Sequence, residues 1–156
     1  MNAPQLHLVA DAPVPAPSTA TEGRRTAFGA RVSGALGALR SAARAGMARS
    51  VCACEALCEQ IEATCADDPA TACILLECVA REPAAQVLRP RLFAIASRLA
   101  NADNPFIVYR ACAQALALGR HDLRLDNHAG VLVGTIRAQA RPVLARRLGR
   151  LVEQGR

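Results

Sequence analysis

The sequence has no Trp and no Lys, one Tyr and only three Phe among its 156 residues. Aromatic side chains favour β-strands, so their scarcity argues against an all-β fold. It also removes the rings on which single-stranded bases usually stack. Since all 19 basic residues are Arg, every cationic side chain carries the planar guanidinium that can bind a carboxylate or a phosphate through two hydrogen bonds.

Long apolar runs are also absent. No stretch approaches the roughly 18 apolar residues of a transmembrane helix, and the N-terminus lacks the charged start, apolar block and cleavage site of a secretory signal peptide. Seven Cys, an odd number, are typical of reduced thiols in a cytosol. We therefore expect a cytoplasmic protein with no membrane span, while signal-less bacterial secretion stays open.

Ala dominates the chain, with 34 copies within a hydrophobic fraction of 52%. Because Ala is the best intrinsic helix former, we expect an all-α protein whose five or six helices stack as antiparallel hairpins or a bundle. The Pro/Ala-rich segment 1–23 contains little that can be buried, which predicts a disordered N-terminal leader. Residues 24–156 are then a single all-helical domain. The wealth of Ala, Gly and Arg indicates a GC-rich bacterial coding sequence.

Apolar periodicity and cap signals predict the helix positions. The expected helices span 24–50, 51–66, 69–82, 84–101 with a break at Pro90, 105–118, and 129–153 with an interruption near Pro142. Asp68-Pro69 and Asn104-Pro105 each place Pro after an N-cap residue, 36 residues apart. The stretch 104–119 resembles one helix of a HEAT-type repeat, which favours stacked hairpins, a short HEAT-like solenoid being one such stack.

Charge is unevenly distributed along the chain. Residues 1–50 carry a net charge of +4, residues 51–82 carry −6, and residues 83–156 carry +8. This basic–acidic–basic order permits neutralisation within the molecule. The overall charge of +6 therefore does not by itself indicate a nucleic-acid partner.

The first predicted helix carries a small residue at every fourth position, a spacing that drifts slowly around a helix and lets another backbone approach closely. These residues are Ala30, Gly34, Ala38, Ala42 and Gly46. Each glycine lowers helix propensity by about 1 kcal/mol, and close packing would offset that loss. We expect this stripe to contact a partner protein or a second copy of the chain; packing inside its own bundle is the alternative.

Arginines project from the last predicted helix, opposite its apolar stripe. They are Arg137, Arg141, Arg146, Arg147 and Arg150. Such a face can neutralise phosphates or bind an anionic membrane, but it can also pair with the acidic segment 55–82 or stay solvated. Phe93, Phe106 and Tyr109 are expected in the core, so no base-stacking ring accompanies the arginines. Nucleic-acid binding through this face is the alternative function.

Six of the cysteines fall within residues 52–78, which raises a metal or redox hypothesis. Helical geometry places Cys54, Cys58 and Cys65 on one apolar face, where free thiols are ordinary buried groups, and no CxxC pair occurs. We expect these thiols to be buried, reduced and free of metal. A Cys-linked metal or redox protein is the second alternative.

The segment 121–128 holds two His and two Asp, all capable of acid–base or ligand chemistry. Its simpler interpretation is a surface loop in which Asp126 or Asn127 caps the last helix. No phosphate-binding glycine motif or nucleophile elbow occurs, so we expect no catalytic site, metal or cofactor. The favoured function is a non-enzymatic protein-interaction module, such as a small bacterial adaptor, regulator, chaperone or secreted accessory protein.

Overall fold

A computed structural model describes residues 19–120 and 122–155, and this part of the chain is all-helical. The α-helices are α1 (Thr19–Arg44), α2 (Met47–Thr64), α3 (Pro69–Ala80), α4 (Arg89–Leu99), α5 (Pro105–Gly119), α6 (Leu123–Gln139) and α7 (Pro142–Gly155), with a 3-10 helix at Pro83–Leu88 before α4. The all-α class is confirmed. The expected number of five or six helices is too low, because seven α-helices lie in the described residues.

Most of the predicted leader, residues 1–18, lies outside the described residues. Its last five residues, 19–23, are the first residues of α1. The interpretation of residues 1–18 as a disordered segment therefore stays a prediction, and the helix that follows begins earlier than expected.

The helix expected over residues 24–50 ends at Arg44 instead. Gly46 adopts a φ of 108°, a left-handed conformation that side chains with a Cβ rarely adopt. The chain turns there, and α2 begins at Met47. Gly46 is therefore a turn residue and not a member of the α1 surface, which corrects its assignment to the small-residue stripe.

Two of the predicted helix starts are confirmed by their caps. Asp68 accepts a hydrogen bond from the backbone N–H of Thr71 at 3.1 Å, at the start of α3. Asn104 accepts one from the backbone N–H of Phe106 at 2.9 Å, at the start of α5. Side-chain oxygens of this kind satisfy N–H groups that the first helical turn leaves unpaired. The break near Pro90 is also present, since the 3-10 helix gives way there to α4.

The polar segment after α5 is a helix and not a loop. Asp122 is the N-cap, and its Oδ1 accepts hydrogen bonds from the backbone N–H groups of Arg124 at 2.9 Å and Leu125 at 3.3 Å. α6 therefore begins six residues before the expected start. Asp126 and Asn127 lie inside the helix, so the prediction that one of them is the cap is wrong.

Each helix packs against the next two along the chain and, among the described residues, against no helix further away. α1, α3, α5 and α7 accordingly form one layer, and α2, α4 and α6 form the other. A core shared only between neighbouring units is the contact pattern of a stack of helical hairpins. α1 and α2 thus lie at one end of the stack, and α6 and α7 lie at the other.

Three helices of the first layer are built alike. Each begins with Pro, at Pro69, Pro105 and Pro142, 36 and 37 residues apart. The residues 2, 3, 6, 7 and 10 positions after each Pro point towards the core. They are Thr71, Ala72, Leu75, Leu76 and Val79 in α3; Ile107, Val108, Ala111, Cys112 and Ala115 in α5; and Leu144, Ala145, Leu148, Gly149 and Val152 in α7. All are buried in α3 and α5, whereas three are only half-buried in α7, as expected for the helix that ends the stack.

Candidate interaction surfaces

The small-residue stripe of α1 lies mostly in solvent. Ala30, Gly34 and Ala38 are exposed and Ala42 is half-buried. A Cβ added to Gly34 would meet nothing within 4 Å. A four-residue step drifts by about 40° around a helix, so the stripe winds from the solvent side towards the contact with the rest of the stack. α1 packs on α2 and α3 through a different side, where Leu39 is 3% exposed.

Three of the C-terminal arginines share one surface. Arg146, Arg147 and Arg150 lie within about 100° of arc on α7, on the side opposite Leu148, which is fully buried. Val143, 63% exposed, lies in the same sector, and the four line a shallow hollow of about 510 Å³. We call Val143, Arg146, Arg147 and Arg150 the arginine face. Val143 was not predicted from the sequence. The available signal was its position, because it is an apolar residue that lies outside the apolar stripe of α7.

The other two arginines lie beside this face. The guanidinium of Arg137 on α6 packs over Gly149, where an added Cβ would approach it to 3.2 Å. Arg141, in the connection between α6 and α7, lines a cleft of about 450 Å³ together with Asp103 and Leu144. The structure therefore joins three of the five predicted arginines into one surface, with Arg137 alongside and Arg141 in a separate cleft.

None of these five arginines has a carboxylate oxygen within 4 Å in the described part of the chain. The two ion pairs found there use other arginines. Arg91 on α4 binds Glu62 on α2 through two hydrogen bonds of 2.9 and 2.8 Å. Arg110 on α5 binds Glu77 on α3 in the same bidentate manner. Two carboxylates of the acidic segment are thus neutralised by helices that follow it in the stack, and α7 contacts neither α2 nor α3.

Hydrogen bonding within these pairs shifts the pKa of Glu62, Arg91 and Arg110. The hydrogen bonds from Arg91 lower the pKa of Glu62, and those from Glu62 raise the pKa of Arg91. Glu77 likewise raises the pKa of Arg110. Both pairs are part-buried, and the side chain of Glu77 is the most buried of the four, at 13% exposure. The two pairs connect successive hairpins of the stack.

The repeat explains why Arg147 has no carboxylate partner among the residues that the structure describes. It occupies the fifth position after Pro142, as Arg110 does after Pro105. Arg110 reaches back to Glu77, eight residues after the Pro of α3. The corresponding residue of α5 is Ala113, which offers no carboxylate. The ion pair between α3 and α5 is therefore not repeated between α5 and α7, where the arginine face begins.

The aromatic residues are less buried than expected. Phe106 is 59% exposed, so the prediction that it belongs to the core is wrong. Its ring is covered by the guanidinium of Arg110, whose central carbon lies 5.4 Å from the ring centroid, an arrangement that stabilises a cation over an aromatic face. Phe93 and Tyr109 are half-buried. No aromatic ring lies among the residues of the arginine face.

All seven cysteines are free thiols. The burial prediction is confirmed for Cys54 and Cys58, while Cys65 is half-buried. Burial raises the pKa of Cys58, like those of Cys73 and Cys112, to about 11. A raised pKa keeps the thiol protonated, and the protonated form is neither a good nucleophile nor a good metal ligand.

The segment 121–128 does not assemble into a site. Residue 121 lies outside the described residues, and Asp122 is engaged as the cap of α6. His128 is exposed and stacks loosely on Phe93, with ring centroids 6.4 Å apart. Across residues 19–120 and 122–155, no three His, Cys, Asp or Glu side chains converge as metal ligands would. None of the helices described is both long and apolar enough to cross a membrane.

Comparisons with protein-family models, with curated proteins and with solved structures found no match to this chain.

Proposed function

We propose that the protein is a non-enzymatic protein-interaction module that docks an acidic surface of a partner protein on the arginine face of α7. The observation that carries this proposal is a surface of three exposed arginines around an exposed valine, with no carboxylate partner in the described chain. Guanidinium groups bind carboxylates through two hydrogen bonds. Interfaces combine such polar contacts with apolar ones, and Val143 supplies the apolar contact here.

The composition of the arginine face favours a protein over a membrane. The apolar side of α7 is used in the core, where Leu148 is fully buried. The helix therefore has no free apolar side to insert among lipid chains, as interfacial helices do. A partner protein can offer carboxylates to the arginines and an aliphatic side chain to Val143 at the same time.

Nucleic-acid binding is the second candidate function. It is favoured by the same uncompensated positive charge, since phosphates would neutralise the arginines of α7 together with Arg137. The face has no aromatic ring for stacking on bases, and a phosphate backbone leaves Val143 without a contact. Burial keeps the thiols protonated, so they do not support the alternative of a Cys-linked metal or redox protein.

The small-residue stripe of α1 stays a proposal as a further contact element. Its open space around Gly34 supports a role outside the protein's own core. α1 and α7 lie at opposite ends of the stack, so a module of this shape could hold two partners at once. We propose an adaptor or regulator as the role that uses both ends.

Affinity purification from the native cell, with nuclease added, tests the proposed function. The wild-type chain is compared with R146E/R150E and with R40E/R44E, a matched control that reverses two exposed arginines of α1. We expect protein chains that co-purify with the wild type and the control to be lost with R146E/R150E. Recovery of the same chains with R146E/R150E would contradict the proposal. Loss of the wild-type interactions on nuclease treatment would instead support nucleic-acid binding.

A further inference from the structure

We propose that the arginine face of one copy docks on the outer face of α2 in a second copy of this chain. The inference rests on the proposed function, because the second copy supplies the acidic surface that the arginine face requires. It names the partner surface from residues of this sequence. The alternatives, an unrelated acidic protein or a nucleic acid, are outcomes of the tests below.

The outer face of α2 is acidic and flat. Glu55 and Glu59 are exposed and have no basic group within 4 Å in the described chain. They are four residues apart and therefore lie next to each other on one side of the helix. Small exposed residues, Cys52, Ala56 and Ala63, lie beside them, and Arg49 and Gln60 form the edge of this face. This face offers two free carboxylates and room for another helix to approach closely.

The two faces match in spacing, charge and shape. Arg146 and Arg150 are also four residues apart, so a parallel contact between α7 and α2 aligns Arg146 with Glu55 and Arg150 with Glu59, and brings Val143 opposite Cys52. The aliphatic stems of the arginines can lie along apolar surface while their heads reach the carboxylates. Val143 projects from the same sector of α7, and the small residues of α2 leave space for it.

The contact has to form between molecules. Among the described residues of its own chain, α7 packs only on α5 and α6, whereas α2 packs on α1, α3, α4 and the 3-10 helix. The two faces lie at different ends of one stack and cannot meet there. Two complementary but different surfaces produce head-to-tail association, which yields chains or rings rather than a closed two-fold dimer. A single helix–helix contact is small, so we expect weak association that salt weakens further.

Sedimentation velocity over a range of about 10 to 500 µM protein, where so small an interface is expected to titrate, tests the inference. We expect the wild type to associate at low salt and to dissociate as NaCl is added. R146E/R150E and E55R/E59R should each associate at least about tenfold more weakly, while the control R40E/R44E associates like the wild type. Mixing the two defective variants should restore association, because each then supplies the charge that the other lacks.

Disulfide trapping checks the register of the contact. Cys52 is the exposed cysteine of the outer α2 face, and the other six are buried or half-buried. Oxidised V143C should form crosslinked dimers through Cys52 of a second copy, and V143C/C52S should not. V131C provides the control, since Val131 is a 70% exposed valine on α6, away from the contact.

A wild type that stays monomeric throughout, or charge variants that associate as the wild type does, would overturn the inference. Equal crosslinking of V131C and V143C would also overturn it. The proposed function is tested separately, by the affinity purification described above. If the chain is monomeric but R146E/R150E still loses a co-purifying protein, the partner is a different acidic protein and only the second-copy inference fails.

Discussion

At the scale of single residues, two glycines have roles that their neighbours enforce. Gly46 turns the chain with a positive φ between α1 and α2. Gly119 ends α5 where a Cβ would lie 2.8 Å from the backbone Cα of Asp126, closer than real contacts allow. Its role is close packing of α5 on α6, and its φ is not positive.

Replacing Gly119 with Ala should destabilise the protein by about 1–3 kcal/mol, because α6 must move away from the new methyl group. The matched control is Gly34→Ala in α1, where the added Cβ meets nothing. There the better helix propensity of Ala should raise the free energy of unfolding by about 0.5–1 kcal/mol. Urea denaturation measures both. Equal stability of G119A and the wild type would refute the close approach of α5 and α6.

The buried thiols make stability depend on alkaline pH. Burial raises the pKa of Cys58, Cys73 and Cys112 to about 11 from an ordinary value of 9.0. The folded state therefore holds more protons than the unfolded state between these values, so the free energy of unfolding falls as pH rises from about 9 to 11. Each thiol contributes at most about 1.4 kcal/mol per pH unit. Below about pH 9 the thiols leave stability unchanged.

The chain has no Lys, so this window reports mainly on the cysteines. Urea denaturation at pH 8, 9 and 10 should show a decreasing free energy of unfolding. C112A should show a shallower decrease than the wild type, because one of the buried thiols is gone. A free energy that stays constant up to pH 10 would contradict the burial of the thiols.

At the scale of helices and their contacts, bidentate ion pairs connect one hairpin to the next. Removing Arg110 leaves the carboxylate of Glu77 without a partner at 13% exposure. Removing Arg91 leaves the carboxylate of Glu62 at 31% exposure, where water can replace the lost hydrogen bonds. R110Q should therefore cost about 2 kcal/mol, and R91Q should cost clearly less. Thermal or urea denaturation measures the stability that each variant loses. A larger loss in R91Q than in R110Q would contradict this explanation.

The repeat of Pro-initiated helices predicts where a new pair can be built. Ala113→Glu places a carboxylate opposite Arg147, as Glu77 lies opposite Arg110. A double-mutant cycle with R147A should give a favourable coupling energy of about 0.3–1 kcal/mol. A coupling energy of zero would show that α5 and α7 do not repeat the geometry of α3 and α5.

The sequence predicted the elements whose ends carry a chemical signal. Asp68 and Asn104 are helix caps directly before Pro, and both were identified as such. The third such helix start, at Pro142, was not predicted, because Arg141 in place of a cap residue precedes it and the spacing is one residue longer. The end of α1 was not predicted, because the apolar periodicity continues past Gly46 and periodicity alone does not reveal a positive φ. Local signals thus predict helix starts better than helix ends.

At the scale of the whole molecule, the order of charge along the sequence becomes an order in space. A stack in which helices contact only their near neighbours keeps sequence order from one end to the other. The acidic α2 and α3 are therefore within reach of arginines on α4 and α5, and not of those on α7. Which arginines remain uncompensated depends on this stacking order, and the sequence alone left self-pairing and exposure of the C-terminal arginines equally open.

The central claim is that the fold does not use the arginine face, which leaves it free for a partner. The most direct measurement is the free energy of unfolding of R146Q/R150Q by urea denaturation, with R110Q as the comparison. Because three like charges lie close together with no carboxylate oxygen within 4 Å in the described residues, we expect R146Q/R150Q to be as stable as the wild type, within about 0.5 kcal/mol, or more stable. A loss as large as that of R110Q would show that these arginines hold the fold together and would contradict the claim.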